Sequence, residues 1–282
     1  MKIRTTAPVH SVEIKQDEVK LANHYHNKFG IPISQAKEIA EAALFIILQR
    51  AAGSFPHQEF KPSSEITTLF SDSHLSVERL RSILVDKDHA ISKYEIYQGL
   101  KAALLQGLQL EYIVLLMDSL TPNNIKEFSN KGEPLLSFSL KNYDILQLLL
   151  TRGVPVDAQN DLGKTALFYA IGFNNHEAAN LLLRNNANAN HAYKSATEIR
   201  SKDECIYPNL VHTKRTPLMH AAQNSDVNMI KLLLSHGADI TTADELGFNA
   251  LDYAVIGNNK ENISFLKSLG LKPRAPIKPV GS

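Results

Sequence analysis

The sequence predicts an all-α fold, a solenoid of stacked helix-turn-helix units joined by hairpin loops, with a helical extension on its N-terminal side. Three observations lead to it. Leu167, Leu218 and Leu251 sit in matching settings: Thr165-Ala166-Leu167-Phe168-Tyr169-Ala170, Thr216-Pro217-Leu218-Met219-His220-Ala221 and Asn249-Ala250-Leu251-Asp252-Tyr253-Ala254. The last two leucines are 33 residues apart, and a fixed period of that length marks a repeated supersecondary unit. A second apolar stripe follows each setting: Leu181-Leu182-Leu183, Leu232-Leu233-Leu234, or Ile263 with Phe265-Leu266. Small residues (Ala170, Ala221, Ala254) recur where helices must approach closely, and leucines recur where they fill the groove between units. One such helix pair leaves its apolar side in water. Stacking makes the core continuous, and that needs about three or more units with atypical ends.

Residues 1–92 lack the period and read as an N-terminal helical domain or cap. A helix over 17–29 ends at Gly30. A second starts near Ser34, after Pro32, carries Ile39, Ala40, Ala43, Ile46 and Ile47 at helical spacing, and stops at Gly53. Residues 53–62 form a polar, proline-bounded connector, and 64–70 and 76–85 read as two shorter helices. Four helices in this span form either a bundle that covers the first repeat or a module with a partner of its own.

The array occupies 93–273. Its capping unit, about 93–130, opens on a capping box, Ser92-x-x-Glu95, closes its first helix at Gly107, and carries Leu100-Lys101-Ala102-Ala103 and Ile113-Val114-Leu115-Leu116. Repeats follow at about 131–160, 161–190, 213–243 and 244–273. The first of these is degenerate: Leu135 lies 32 residues before Leu167, one short in the turn between helices. Gly237 and Gly270 stand just past second helices, where a left-handed residue closes the helix at little steric cost, and Asn186 takes that place in the Leu167 unit. Lys267 replaces the leucine found at Leu183 and Leu234, so the stack should end there, followed by the proline-rich tail 274–282. From Leu167 to Leu218 the spacing is 51, which is 18 above the period. The excess falls in 191–215 and lengthens one hairpin into a long finger, since the stacked core has no room for an insertion.

These units resemble the ankyrin-repeat family, over roughly 93 to 273. They depart from its T-P-L-H-x-A motif at the histidine, which is Phe168, Met219 or Asp252 here, so the hydrogen bonds that an imidazole makes at that place are not expected. The resemblance implies a concave face and fingers that bind a partner protein. The residue before the motif's alanine then points outward, giving a ladder of Tyr169, His220 and Tyr253, with Phe173 one turn beyond Tyr169. On the finger, Tyr193, Arg200, Tyr207, His212 and Arg215 are the aromatic and basic residues that commonly anchor interfaces. The segment Pro62-Ser-Ser-Glu65-Ile66-x-x-Leu69-Phe70 faintly resembles the opening of an F-box without its leading Leu-Pro, and would imply a ubiquitin-ligase adaptor. In style the chain also looks like effectors that intracellular bacteria deliver into host cells, which would imply a host protein partner and a host-cytosol location.

Composition narrows the rest. A net charge of +1 gives no electrostatic footprint for nucleic acid. The single Cys205 excludes an internal disulfide and fits a reducing, cytoplasmic setting. No signal-like apolar region opens the chain, and the longest apolar run, Ala42 to Leu48, falls far below the roughly 20 residues of a membrane span. His176-Glu177-x-x-Asn180 lacks the second histidine of a zinc-protease helix, and His24 and His26 would point to different sides of a helix. Cys205 with His212 could form a thiolate-imidazole pair, but no orienting acid or oxyanion donor stands near them. Neither cofactor, metal nor catalytic site is expected. The expected function is non-catalytic binding of a partner protein. The alternative is an enzyme or adaptor activity in residues 1–92, with the repeats selecting the substrate.

Overall fold

The computed structural model describes residues 19–20, 22–23, 27, 69–70, 75–86, 91–129, 132–160, 162–195, 198 and 213–274. The expected helices over 17–29, 34–53 and 64–70, and most of the finger, lie largely or wholly outside them. Among the described residues the chain is all-helical. Helix α1 (Val77–Val85) is followed by α2 (Lys93–Leu105), α3 (Leu110–Asp118) and α4 (Pro122–Phe128). A 3-10 helix (Leu135–Ser139) pairs with α5 (Tyr143–Thr151), α6 (Ala166–Gly172) with α7 (His176–Arg184), α8 (Pro217–Asn224) with α9 (Val227–Ser235), and α10 (Ala250–Ile256) with α11 (Lys260–Ser268).

Leu167, Leu218 and Leu251 are all buried, as are Ala170, Ala221 and Ala254 beside them. Leu182, Leu233 and Leu266 of the second helices join the same core. Each buried leucine contributes about 1.5–3 kcal/mol by leaving water. The inner helices α6, α8 and α10 pack in sequence, and each meets its own outer helix. At the N-terminal side Leu80 of α1 is fully buried in this continuous core, and Tyr112 of α3 donates its hydroxyl to the Leu75 carbonyl at 2.7 Å.

Polar stitches run between neighbouring units through residues at and beside the N-terminal ends of the outer helices. Asn175 caps α7 and its amide donates to the Leu140 carbonyl of the unit before, at 2.7 Å. Ser225 donates to the Ile171 carbonyl at 2.6 Å, and Asn259, the cap of α11, donates to the Ser225 carbonyl at 3.0 Å. Fully buried Asn262 adds bonds to the carbonyls of Ala222 and Ser225. These bonds satisfy carbonyls at the ends of inner helices, which a helix cannot satisfy itself.

The degenerate repeat replaces its inner α-helix with a 3-10 helix, and the missing residue explains why. A 3-10 helix rises about 2.0 Å per residue against about 1.5 Å in an α-helix, so the shorter Leu135–Ser139 spans nearly the length of Ala166–Gly172. One departure from expectation is α4, absent from the sequence reading although Thr121-Pro122-x-Asn124 announces it. Thr121 and Asn124 form a reciprocal capping box with proline in the first turn.

At Gly237 (φ +83) nothing would obstruct a Cβ, so the backbone angle alone requires glycine. The Ala238 amide closes α9 by bonding the Leu233 carbonyl at 3.0 Å. Asn186 makes the same turn at φ +66.

Candidate functional site

The hairpins beside the inner helices are built on one device used twice. Asn160 Oδ1 accepts from the backbone N–H groups of Leu162 and Lys164 at 3.0 and 2.9 Å, and Asp244 Oδ1 accepts from those of Leu246 and Phe248 at 2.9 and 2.8 Å. Each is an Asx turn closed by a glycine at positive φ, Gly163 or Gly247. The remaining side-chain atom of each turn reaches the tyrosine of the following inner helix.

In the first hairpin, half-buried Tyr169 donates its hydroxyl to Glu133 Oε2 at 2.5 Å and accepts from Asn160 Nδ2 at 3.2 Å. Glu133 comes from the unit before and also accepts from Asn160 at 3.0 Å. In the second hairpin, Tyr253 donates to Asp244 Oδ2 at 2.7 Å, and Thr213 donates to the same oxygen at 2.7 Å. The Arg215 guanidinium covers the Tyr253 ring, 4.2 Å from its centroid.

The expectation that Tyr253 points outward is therefore corrected: it is 1% exposed, held down by Asp244 and roofed by Arg215. Arg215 is itself only 7% exposed, and Tyr193 likewise 7%. Tyr193 stacks on Phe168 with ring centroids 3.7 Å apart, which uses an interior apolar contact where an interface anchor was expected. His220 is half-buried, with its ring 5.5 Å from Phe168 and 6.0 Å from Tyr193. Phe173 is 66% exposed. Arg200, Tyr207 and His212 lie outside the described residues, as do Cys205, His24 and His26.

The structure also presents residues the sequence reading did not pick out. Val255 and Ile256 of α10 are 53% and 45% exposed. They follow Leu251 by the same steps that separate Ile171 and Gly172 from Leu167, and Ile171 is fully buried, so the repeat alignment alone places Val255 inside. Lys164 is half-buried at the first hairpin, its ammonium 5.6 Å from the Tyr193 ring centroid.

The base of the finger is ordered on both sides. Tyr193 N–H donates to the Arg215 carbonyl at 2.9 Å, Lys194 N–H to the Leu162 carbonyl at 3.1 Å, and Glu245 N–H to the Thr213 carbonyl at 2.9 Å. Ser195 and Glu198 then form a reciprocal capping pair: Ser195 N–H donates to Glu198 Oε2 at 2.6 Å and Glu198 N–H to Ser195 Oγ at 3.2 Å. Ser195-Ala-Thr-Glu198 carries that signal in the sequence. Lys214 holds the place of Gly163 and Gly247 at φ +57, and its ammonium lies 3.5 Å from Glu245 and 3.9 Å from Glu198.

Electrostatics follow burial. His220 is pushed down to about 3, first by burial and then by the charges of Arg215 and Lys164, so its imidazole is neutral near pH 7. Burial raises the Asp244 carboxyl against four hydrogen bonds that pull it down, and lowers Lys164 and Arg215. Lys101, buried on α2, is pushed down to about 8 by burial despite the pull of Glu133. His176, the first residue of the near-zinc motif, instead meets Asp226 of the next unit at 2.9 Å. Among the described residues no group of three or more His, Cys, Asp or Glu is placed to hold a metal, and no helix is long and apolar enough to cross a membrane.

Comparison with known proteins agrees with this architecture. A family model described as ankyrin repeats in three copies matches residues 100–193 and 193–276. The chain is 27% identical over 161 residues to human transient receptor potential cation channel subfamily A member 1, covering 49% of this chain and 14% of that protein. It is 32% identical over 110 residues to the mouse B-cell lymphoma 3 protein homolog, covering 39% and 21%. An ankyrin repeat protein of fowlpox virus (strain NVSL) is 30% identical over 139 residues, covering 49% and 27%. The chain thus spans under a third of the length of each of these relatives.

Proposed function

The chain belongs to the ankyrin-repeat family, and we propose from that premise that it is a non-catalytic module holding one partner protein against the exposed ends of its inner helices and the base of its long finger. Ankyrin repeats generally mediate protein-protein interaction, and proteins of the family are typically non-catalytic. The observation that carries the reading is the exposure of Phe173, Val255 and Ile256 on inner helices. None of the three is needed to fill the stack, and large apolar side chains left in water on a rigid surface lose little entropy when a partner covers them.

Tyr169 and His220 border this surface, and Phe173 and Ile256 are its anchors. Arg200, Tyr207 and His212 extend it along the finger, while Tyr193, Arg215 and Tyr253 act beneath it by fixing the finger's base. Residues 1–92 serve as the cap of the first unit, which the burial of Leu80 with the repeats supports. The working location is the cytosol, of a host cell if the chain is a delivered bacterial effector. A translocation reporter fused to the chain tests the latter.

The test of the binding surface is capture of partners by the full chain, read by quantitative mass spectrometry. Phe173→Asp and Ile256→Asp should each lower recovery of the main partner at least tenfold while leaving thermal unfolding unchanged. Equal recovery by both variants and the parent chain would overturn the proposal.

A further inference from the structure

Each unit of the array turns one face toward the unit after it, and the contacts identify the residues on that face. On α6, Phe168 meets the rings of Tyr193 and His220, both from beyond its own unit, and the Ile171 carbonyl accepts from Ser225 at the start of α9. Positions 168 and 171 stand three apart on one side of the helix. Both are buried, as are their counterparts Met219 and Ala222 on α8. On α10 the same two places hold Asp252, which is half-buried, and Val255, which is 53% exposed. Among the described residues no unit follows to cover them.

The outer helix changes in the same way. Lys231 of α9 lies over the Phe265 ring, 5.4 Å from its centroid, so Phe265 looks back along the stack. Ile263 and Lys267 stand two residues before and after it, about 160° away around the helix, and look forward. The counterparts of Ile263, Ala179 and Ile230, are fully buried, whereas Ile263 is half-buried. Lys267 is exposed where Leu183 is buried. The forward face of the last unit thus keeps an apolar middle, Val255 and Ile263, and gains two charges of opposite sign.

Asp252 lies in the first turn of α10 and Lys267 in the last turn of α11. Both are at the hairpin end of the unit, where the Asn249 side chain donates to the Lys272 carbonyl at 2.9 Å. Asp252 accepts from the backbone N–H groups of Asn249 and Arg274, and among the described residues neither Asp252 nor Lys267 forms an ion pair. A face with an apolar middle, an acid on one helix and a base level with it on the other is complementary to itself. A two-fold axis parallel to the helices sets α10 of one molecule against α11 of a second, with the hairpin ends aligned. We propose that the chain pairs end to end with a second copy across this face. Asp252 of each molecule meets Lys267 of the other, and Val255 and Ile263 close the centre. The contact continues the packing by which each unit already covers the one before. It goes beyond the binding reading above, whose anchors Phe173 and Ile256 it does not use.

Sedimentation equilibrium of the full chain tests it. A face made by one helix pair belongs to the small, weak class of interfaces, so a monomer–dimer equilibrium with a Kd of roughly 10–100 µM is expected, weakening as salt is raised. Lys267→Asp and Asp252→Lys each place like charges opposite one another and should each weaken self-association at least tenfold. An equimolar mixture of the two variants should pair again at close to the parental affinity, because the mixed dimer restores an opposite-charge contact at both places. Val255→Lys, at an exposed site, should weaken pairing at least tenfold with thermal unfolding unchanged, which keeps the test open if Asp252→Lys disturbs the cap of α10. A parent chain that stays monomeric at every concentration would overturn the proposal. So would dimers that survive both Lys267→Asp and Val255→Lys. A monomeric parent whose capture of another protein is lost in Val255→Lys would assign this end to a partner of different sequence, and would overturn it too. Capture by Phe173→Asp reads the partner surface two units away, so failure of the dimer and failure of that surface are distinguishable.

Discussion

Tyr169 and Tyr253 occupy the same place in two units, follow the same Asx turn and make the same kind of hydroxyl bond, yet one borders the open surface and the other is interior. Tyr169 is tied to a neutral amide and to Glu133 from the preceding unit, and part of its ring stays in water. Tyr253 is tied to a buried carboxylate and covered by Arg215, which is delivered by the end of the long insertion. The difference lies in what the preceding unit sends across. A repeat motif fixes the position of a side chain, and its neighbour decides whether that position is surface.

The largest expected effect tests that contrast directly. Asp244→Ala removes the acceptor of Tyr253, Thr213 and two backbone amides in a buried place, and should cost about 3 kcal/mol or more. Asn160→Ala disturbs an equivalent turn beside a half-exposed tyrosine whose hydroxyl keeps Glu133, and should cost about 1 to 2 kcal/mol. Urea unfolding of the full chain measures both. Equal losses would mean that the Arg215 roof adds nothing to the burial of the second network.

A second pair sharpens the same comparison one turn further along. Phe173 and Gly257 are equivalent positions at the ends of α6 and α10. A Cβ on Gly257 would lie 2.3 Å from the Gln223 carbonyl oxygen, a backbone atom with no rotamer to change. Gly257→Ala should therefore cost about 1–3 kcal/mol through a forced shift of α10 against α8. Phe173→Ala, at an exposed site, should stay within about 0.5 kcal/mol. Thermal unfolding separates the two, and a benign Gly257→Ala would show that α8 and α10 can move apart.

These contrasts mark what the sequence could convey. The period was legible because Leu167, Leu218 and Leu251 each fill the same layer, and a buried leucine has few substitutes. The closing turns were legible because Gly237 and Asn186 answer to backbone angle alone. The deficit near Leu135 was legible as a count, and its consequence, a 3-10 helix, follows from rise per residue. The burial of Tyr253 was not, because it depends on Arg215 arriving across a unit boundary after an insertion of aperiodic sequence. The same holds for Tyr193, which sits at the hairpin place of Asn160 and Asp244 but turns onto Phe168. Of the expected site residues, Tyr169, Phe173 and His220 keep some exposure, whereas three others are interior. The Thr121 and Ser195 capping pairs were written in the sequence and only needed reading.

Acid titration distinguishes two carboxylates of opposite sign. Asp226, at the junction of the α6–α7 turn with α9, is lowered from 3.8 to about 2; burial raises it, but bonds from Asn174, His176 and Met229 outweigh that. Its folded-state value is below the unfolded one, so its contribution is fully present above about 3.8 and is lost as pH falls through about 2. Asp244 is raised by burial, so ionisation favours the unfolded chain and its contribution declines as pH rises through the carboxylate range. Between pH 5 and about 2, Asp226→Asn should flatten the acid-side loss of stability, and Asp244→Asn should steepen it. Stability curves for the two variants with the same slope against pH would refute the assignment.

The smallest effect concerns Lys214, which stands at φ +57 where the neighbouring hairpins use Gly163 and Gly247. Lys214→Gly relieves a left-handed backbone angle that disfavours a side chain by about 1 kcal/mol, and gives back part of that through the greater freedom of glycine in the unfolded chain. It also removes the ammonium facing Glu245 and Glu198, a half-exposed pair of contacts worth about 0–1 kcal/mol. The net should be a gain of no more than about 0.5 kcal/mol, together with a finger base less tied to the next hairpin. Hydrogen exchange at the Glu245 amide, which donates to the Thr213 carbonyl, reads that loosening. Faster exchange there with unchanged global stability would show that the lysine is retained to hold the finger in place, at the expense of local backbone strain. Unchanged exchange would leave the strain at Lys214 with no counterpart in the hairpin it joins.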